Sequence, residues 1–174
     1  MLLRCLPDPF ARPFARAGKG STAALVASVL RCAGYRVCVY SSPHAAHVRE
    51  RFGSGRDGGP PSPAAFARLV RLHAAAVQRV HVASPLTHFE VTTALALAHF
   101  AATRPDVAVV ETGLGGTRDA TNVFEQDNLE AAVVTALDLE HLAALGGKSI
   151  DHVAAAKAGI LRRVGCLLRM MTWN

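Results

Sequence analysis

The run Gly18-Lys19-Gly20-Ser21-Thr22 constrains the fold of this chain more than any other stretch. It leads directly into positions that recur at helical spacing, which are Ala24, Leu25, Ser28, Val29 and Cys32. A glycine turn that opens a helix directs backbone N–H groups, the helix N-terminus and one lysine at a single spot, which suits a phosphate group. The hydroxyl of Ser21 is placed to ligate the Mg²⁺ that accompanies nucleotide phosphates.

Strand and helix patterns alternate along the rest of the sequence. The predicted strands cover residues 35–40, 107–110 and 131–137, and the predicted helices cover 21–32, 64–80, 87–103 and 149–161. Thr87 and Glu90 are spaced as a capping box for the third helix. The glycine- and proline-rich residues 53–63 are predicted to form a surface loop. This alternation predicts an α/β fold, a parallel sheet with helices on both faces.

Polar residues follow the predicted strands. Ser42 and His44 come after the first strand, Glu111 ends the second, and His141 lies just beyond the third. Because the carboxyl ends of parallel strands meet at one edge of a sheet, we expect these residues to lie near a ligand. A carboxylate such as Glu111 at the tip of a buried strand needs a partner.

Composition limits the class of protein. A chain of 174 residues, of which 51% are apolar and 18% charged, suits one folded domain. The net charge of +6 raises the question of nucleic acid, but the arginines are scattered and no RNA- or DNA-reading motif is present. We therefore expect no nucleic acid partner, and the basic charge fits an anionic substrate. No apolar run reaches the roughly 20 residues that span a bilayer, so no membrane is expected.

Residues 1–17 stand apart from this pattern. They are rich in arginine and poor in acids, and Pro7, Pro9 and Pro13 disfavour a core strand. Two interpretations stay open, an organelle-targeting segment or a wrongly assigned start. The compartment accordingly stays open between cytoplasm and mitochondrion.

Five blocks in register across residues 18–161 resemble the dihydrofolate synthase / folylpolyglutamate synthase family of the Mur-ligase superfamily. Each block alone is a weak signal, but their shared order is specific. The blocks are Gly18-Lys19-Gly20-Ser21, Ser42-Pro43-His44 with Arg49-Glu50-Arg51, Thr87-His88-Phe89-Glu90, residues 111–116 with Asp119-Ala120-Thr121-Asn122, and Glu140-His141 with Lys157-Ala158-Gly159-Ile160. Residues 140–147 are most similar to the plant-type dihydrofolate synthases, which favours addition of the first glutamate.

The resemblance implies an ATP-dependent amide ligase that joins L-glutamate to dihydropteroate or to the tail of a folate. We expect the protein to be a monomer. The carboxylate attacks the γ-phosphate of ATP, and the amine of glutamate then displaces phosphate from the acyl phosphate. A carboxylate reacts with an amine only after its oxygen has become a good leaving group. Cations must also hold the repelling anions in line.

The resemblance also implies roles for individual residues. Lys19 and the backbone of residues 18–22 bind the β- and γ-phosphates, and the catalytic set is Lys19, His141 and Lys157. Ser21 and Glu111 ligate one Mg²⁺, and His141 with Glu111 a second, assisted by Lys157 carbamylated with CO₂. The residues implied in substrate binding are Ser42, His44, Phe89, Asp119 and Asn122.

Taken singly, these residues have plainer interpretations. The glycine-lysine run alone is more often an ordinary turn, and Glu111 alone suits a salt bridge at a strand end. His141 alone suits a packed core histidine, and Lys157 alone a solvated helix face. Their order along the chain is what favours the family.

The sequence departs from the family pattern at both ends. Ala15, Arg16 and Ala17 stand where the family usually has Gly-Thr-Asn, and no strand precedes them. The expected organisation is an unmatched segment 1–17, a partial ATP-binding domain 18–161 and an unmatched tail 162–174, without the glutamate-side domain. The alternative function is therefore an inactive fragment that binds at most phosphate or Mg²⁺. A cell-wall Mur ligase is a further alternative, which the Ser42 and Thr87 blocks disfavour.

Overall fold

The computed structural model describes residues 18–137 and 149–161 of the chain. In this part the helices are α1 (Lys19–Cys32), α2 (Pro63–Ala83), α3 (His88–Thr103) and α4 (Ile150–Ala158). The strands are β1 (Val37–Tyr40), β2 (Phe52–Gly53) and β3 (Val107–Val110), and short 3₁₀ turns cover Val48–Arg51 and Gln126–Asn128. All four predicted helices are therefore present, with ends shifted by a few residues.

The three strands form one sheet in the order β2-β1-β3. β1 and β3 are parallel, with Val37 opposite Val107 and Tyr40 opposite Val110. This parallel pair confirms the α/β prediction. The sheet is nevertheless mixed, because the two-residue β2 pairs antiparallel with β1 and places Phe52 opposite Tyr40. Nothing in the local pattern of residues 52–53 indicated this added strand.

The prediction of a third buried strand at residues 131–137 is wrong for the described part of the chain. These residues form neither helix nor strand, and only Ala132 among them is buried. An apolar, β-branched run has the composition of a strand, but a strand exists only where a neighbour supplies hydrogen-bond partners.

The core lies between the sheet and α3. It contains Cys38, Tyr40, Phe52, Leu95, Ala96 and Phe100. Tyr40 and Phe52 meet edge to face with ring centroids 6.2 Å apart, and Phe52 meets Phe66 of α2 at 5.2 Å. The Tyr40 hydroxyl is satisfied by Thr92 and Thr93 of α3 at 3.1 and 3.0 Å. This packing fixes the carboxyl end of β1, from which a predicted ligand loop departs.

Helix α1 buries a different face from the one its pattern suggested. The buried residues are Ala23 and Ala27, whereas Leu25 is 54% and Val29 68% exposed. The buried face of α1 is therefore formed by small alanines, whose size allows close packing. The larger apolar residues Leu25 and Val29 face outward in the described structure. The helix ends at Cys32 and is followed by Gly34, whose φ is 95° and whose neighbour Tyr35 donates its N–H to the Leu30 carbonyl at 3.1 Å.

The described residues divide into two compact units. The first comprises residues 23–111, and the second comprises residues 18–22, 112–137 and 149–161. The domain limits 18–161 stay a prediction. No helix in the described part is long and apolar enough to cross a membrane.

Candidate functional site

The glycine-lysine run forms the start of α1. Gly18 has a φ of 67°, a left-handed conformation that favours glycine, and the helix begins at the next residue, Lys19. The first helical hydrogen bond runs from the Thr22 N–H to the Gly18 carbonyl at 2.9 Å. The N–H groups of the first helical turn have no carbonyl partner within the helix, so they are available to an anion. The predicted phosphate site therefore falls at a left-handed glycine that opens a helix.

Glu111 lies at the carboxyl end of β3 and is buried, at 7% exposure. Its N–H donates to the Tyr40 carbonyl at 2.8 Å, which extends the β1–β3 ladder by one residue. One of its carboxylate oxygens accepts the Ser42 N–H at 3.1 Å. The two ends of the parallel strands thus bring Glu111 and Ser42 together.

Two residues of the Arg49-Glu50-Arg51 block fix the loop that carries His44. The Glu50 carboxylate accepts three backbone N–H groups, from Ala45 at 2.7 Å, Ala46 at 3.0 Å and His47 at 2.8 Å. Arg51 is buried, and its Nε–H donates to Nδ1 of His44 at 3.0 Å. Because that ring nitrogen accepts a hydrogen bond, His44 is the tautomer that carries its proton on Nε2.

Phe89 lies in the first turn of α3 and is half-buried. Its ring stands 5.9 Å from the Tyr40 ring, tilted by 37°. The predicted capping box caps the N-terminus of α3. The Thr87 hydroxyl accepts the Glu90 N–H at 3.2 Å, and the Glu90 carboxylate accepts the Thr87 N–H at 2.7 Å. The structure therefore places Phe89 beside the same strand end that precedes Ser42.

Asp119 and Asn122 lie in the second unit and are engaged within the protein. The Asp119 carboxylate accepts the Leu114 N–H at 2.8 Å and both the N–H and hydroxyl of Thr121. The Asn122 side-chain amide donates to the Thr117 carbonyl at 3.1 Å and the Gly159 carbonyl at 3.2 Å. These residues shape the loop between β3 and the following segment.

Lys157 occupies the last turn of α4, also in the second unit. It is half-buried, and its Nζ donates to the Ala136 carbonyl at 2.6 Å. The structure thus brings Lys157, Asn122 and the 113–122 loop together around the end of α4. The predicted role of His141 lies outside the described residues.

The described residues include no group of three His, Cys, Asp or Glu side chains that together suit a metal ion. The predicted ligand set is of another kind, because it combines the Ser21 hydroxyl, the Glu111 carboxylate and Lys157 with His141, which lies outside the described residues. Ser21 and Glu111 offer the hard oxygen atoms that Mg²⁺ prefers. The donor chemistry of these two residues therefore fits magnesium.

Sequence reasoning missed the roles of Glu50, Arg51 and Thr117. Glu50 stands three residues after His47, the spacing of a capping box, and this spacing was a usable signal. The Arg51–His44 and Thr117–Ala156 contacts join positions whose pairing depends on the folded chain, so the sequence carried no local sign of them.

Comparison with known proteins gives a consistent result. The chain is 38% identical over 160 residues to the dihydrofolate synthase/folylpolyglutamate synthase of Escherichia coli, covering 90% of this chain and 35% of that protein. It is 37% identical over 149 residues to the enzyme of the same name from Bacillus subtilis, covering 83% and 33%. A solved structure of E. coli FolC in complex with DHPP and ADP superposes with a TM-score of 0.70 at 37% identity, over 83% of this chain and 33% of that one. No family model matches the chain.

These similarities identify the fold of the chain. The fold is the α/β, Mur-ligase-type fold of the folylpolyglutamate synthase structures. Within it, the chain belongs with the dihydrofolate synthase/folylpolyglutamate synthase family, as the five motifs predicted. It spans about a third of the length of these curated relatives.

Proposed function

We propose that this chain forms the ATP-binding part of an amide ligase of folate biosynthesis, which joins L-glutamate to dihydropteroate or to an existing folate. The observation that carries the proposal is the left-handed turn at Gly18 that opens α1 at Lys19. The likeness to E. coli FolC in complex with DHPP and ADP supports both the nucleotide and the substrate class.

Phosphoryl transfer to a carboxylate sets two electrostatic requirements. Two anions must approach each other, and charge develops on the transferred group and on the departing ADP. In the proposal, the N–H groups at the start of α1 bind the phosphate oxygens, and the Lys19 ammonium neutralises charge at the β- and γ-phosphates. The amine of glutamate then attacks the carbonyl carbon of the acyl phosphate. The bond between this carbon and the phosphate oxygen breaks, phosphate leaves, and the amine loses a proton as the amide forms.

Mg²⁺ belongs to the proposal because of its donor set. Ser21 and Glu111 would hold the ion through oxygen atoms, with His141 as a further ligand implied by the family resemblance. When bound, Mg²⁺ supplies positive charge that stabilises the transferring phosphoryl group. The backbone N–H of Ser42 fixes one oxygen of Glu111, so this carboxylate keeps a defined orientation.

Carbamylation of Lys157 is compatible with its environment. A neutral lysine amine that attacks CO₂ forms a nitrogen–carbon bond, releases one proton and becomes an anionic carbamate. The nitrogen keeps one N–H, which is enough to maintain the hydrogen bond to the Ala136 carbonyl. The modification would convert a cation into an oxygen ligand for Mg²⁺.

Substrate recognition is assigned to two groups of residues. Ser42, His44 and Phe89 lie around the carboxyl end of β1, where ligands bind in sheets of this class. Asp119 and Asn122 belong to the loop after β3. A monomeric state and a cytoplasmic or mitochondrial location complete the proposal, which includes neither a nucleic acid nor a membrane partner.

The test is an assay of ADP release by the 174-residue chain in the presence of MgATP. The proposal predicts release only when dihydropteroate and L-glutamate are both added, and a loss of about 100-fold or more in Lys19→Ala. Arg71→Ala removes an exposed cation from α2 and serves as the matched control, with unchanged release expected.

Three results would contradict the proposal. They are ADP release that ignores either co-substrate, release that is equal in Lys19→Ala, and the absence of release from the wild-type chain. Retained ADP binding without turnover would support the alternative, a fragment that binds phosphate and Mg²⁺ only.

A further inference from the structure

The end of helix α4 is held by a neighbouring loop rather than by its own residues alone. The last carbonyls of a helix have no partner within it. Ala156, in the last turn, offers its carbonyl to both donors of Thr117, the N–H at 2.9 Å and the hydroxyl at 3.1 Å. The Gly159 carbonyl, just past the helix, accepts the side-chain amide of Asn122 at 3.2 Å. The loop thus binds the backbone on both sides of Lys157.

Two glycines permit this close approach. A Cβ at Gly116 would lie 2.7 Å from the Ala156 carbonyl oxygen and 3.0 Å from that of Lys157. A Cβ at Gly159 would overlap the Thr117 side chain. Since neither position has room for a side chain, the loop backbone and the helix end are in direct contact.

Asn122 also organises the loop itself. Its amide nitrogen donates a second hydrogen bond, to the Thr117 carbonyl at 3.1 Å, so both of its N–H bonds are directed at protein carbonyls. Its own N–H donates to the Asp119 carbonyl at 2.9 Å. Asn122 therefore links the residue that binds Ala156 to the residue that follows the helix.

We infer that Thr117 and Asn122 are positioning residues for Lys157. By fixing the carbonyls of Ala156 and Gly159 they fix the backbone from which the Lys157 side chain extends towards the Ala136 carbonyl. Asn122 then acts through Lys157 in addition to the substrate contact that the family resemblance implied. The catalytic consequence rests on the proposed function, in which Lys157 helps to hold Mg²⁺.

The test measures Lys157 directly and needs no turnover. The chain is treated briefly with acetic anhydride, and mass spectrometry gives the acetylation rate of the Lys157 amine relative to that of Lys19. Thr117→Val keeps the shape of the side chain and removes the hydroxyl donor. We expect it to accelerate acetylation of Lys157 about threefold or more with Lys19 unchanged, because one hydrogen bond to the helix end is lost. Thr117→Ser restores the hydroxyl and should restore the wild-type rate.

Asn122→Asp provides an independent second variant. It keeps the shape of the side chain but places an acceptor against two carbonyls. We therefore expect it, too, to accelerate the acetylation of Lys157 selectively. Unchanged acetylation of Lys157 in both variants would overturn the inference, and so would a failure of Thr117→Ser to restore the rate. An equal rise in the acetylation rate of Lys19 would also overturn the inference, because that result would indicate that the whole fold has loosened. Because the readout is independent of ADP release, failure of the proposed function leaves this test intact.

Discussion

Glu50 shows how a single side chain can define a loop. Three consecutive N–H groups, those of Ala45, Ala46 and His47, converge on its carboxylate at 2.7 to 3.0 Å. Hydrogen bonds to an ionised acceptor are stronger than neutral ones. The loop that carries His44 is therefore held by charge as well as by shape.

Glu50→Gln should loosen this loop. Glutamine lacks the charge and replaces one acceptor oxygen with an amide donor that faces backbone N–H groups. We expect a local cost of about 1–3 kcal/mol, seen as faster hydrogen exchange of the N–H groups of residues 45–47. Glu125→Gln, at an exposed position, should leave their exchange unchanged. Equal exchange in wild type and Glu50→Gln would show that the carboxylate does not hold the loop.

His99 makes stability depend on pH. Burial lowers the pKa of its imidazole below the ordinary 6.5, and its Nε2 lies 3.1 Å from the Ser54 hydroxyl. The unfolded chain therefore binds this proton at a higher pH than the folded chain does. The contribution of His99 to stability is complete above pH 6.5 and decreases as the pH falls towards the pKa of the folded state.

Urea unfolding at neutral pH and at about pH 5 measures this effect. His99→Gln should reduce the loss of stability on acidification, because the titrating group is gone. His88→Gln, at an exposed position, should show the same loss of stability on acidification as the wild type. A loss that is the same in His99→Gln and wild type would contradict the assignment.

Elements that depend on local sequence were predicted best. Thr87 and Glu90 identified the start of α3, because a capping box is completed within four residues. The Val107–Val110 strand followed from its apolar run. Strand β2 and the irregular path of residues 131–137 were not predictable in this way, because strand pairing depends on partners distant in sequence.

The capping box of α3 gives a prediction at the scale of one helix. Thr87→Ala removes the acceptor of the Glu90 N–H and should lower the free energy of unfolding by about 1 kcal/mol. Ser149 stands at the same position of α4 but makes no capping bond to that helix's backbone, so Ser149→Ala should cost less. Urea unfolding compares the two variants, and equal losses would argue against the cap.

The contact between the sheet and its helices depends on Phe52. This ring is fully buried, between Tyr40 of β1 and Phe66 of α2. Phe52→Ala should lower the free energy of unfolding by about 3–5 kcal/mol, the transfer and cavity costs of a buried aromatic side chain. Leu72→Ala on the exposed face of α2 should change it by less than about 0.5 kcal/mol. A small loss in Phe52→Ala would mean that the core repacks.

At the scale of the whole molecule, the residues assigned to the site are divided between the two units. Ser42, His44, Phe89 and Glu111 belong to the first, whereas residues 18–22, Asp119, Asn122 and Lys157 belong to the second. Sequence order predicted these residues as a set through the family motifs. It did not indicate which of them are bound to one another, as Asn122 is to the end of α4, because such contacts arise only in the folded chain.

The central claim is that residues 18–22 bind nucleotide phosphates, and equilibrium binding of ADP tests it most directly. Isothermal titration of the wild-type chain should detect binding in the presence of Mg²⁺, and Lys19→Ala should weaken it by about tenfold or more, equivalent to about 1.4 kcal/mol. Arg71→Ala should bind as the wild type does. Equal affinity in Lys19→Ala and wild type, or no binding by either, would contradict the account.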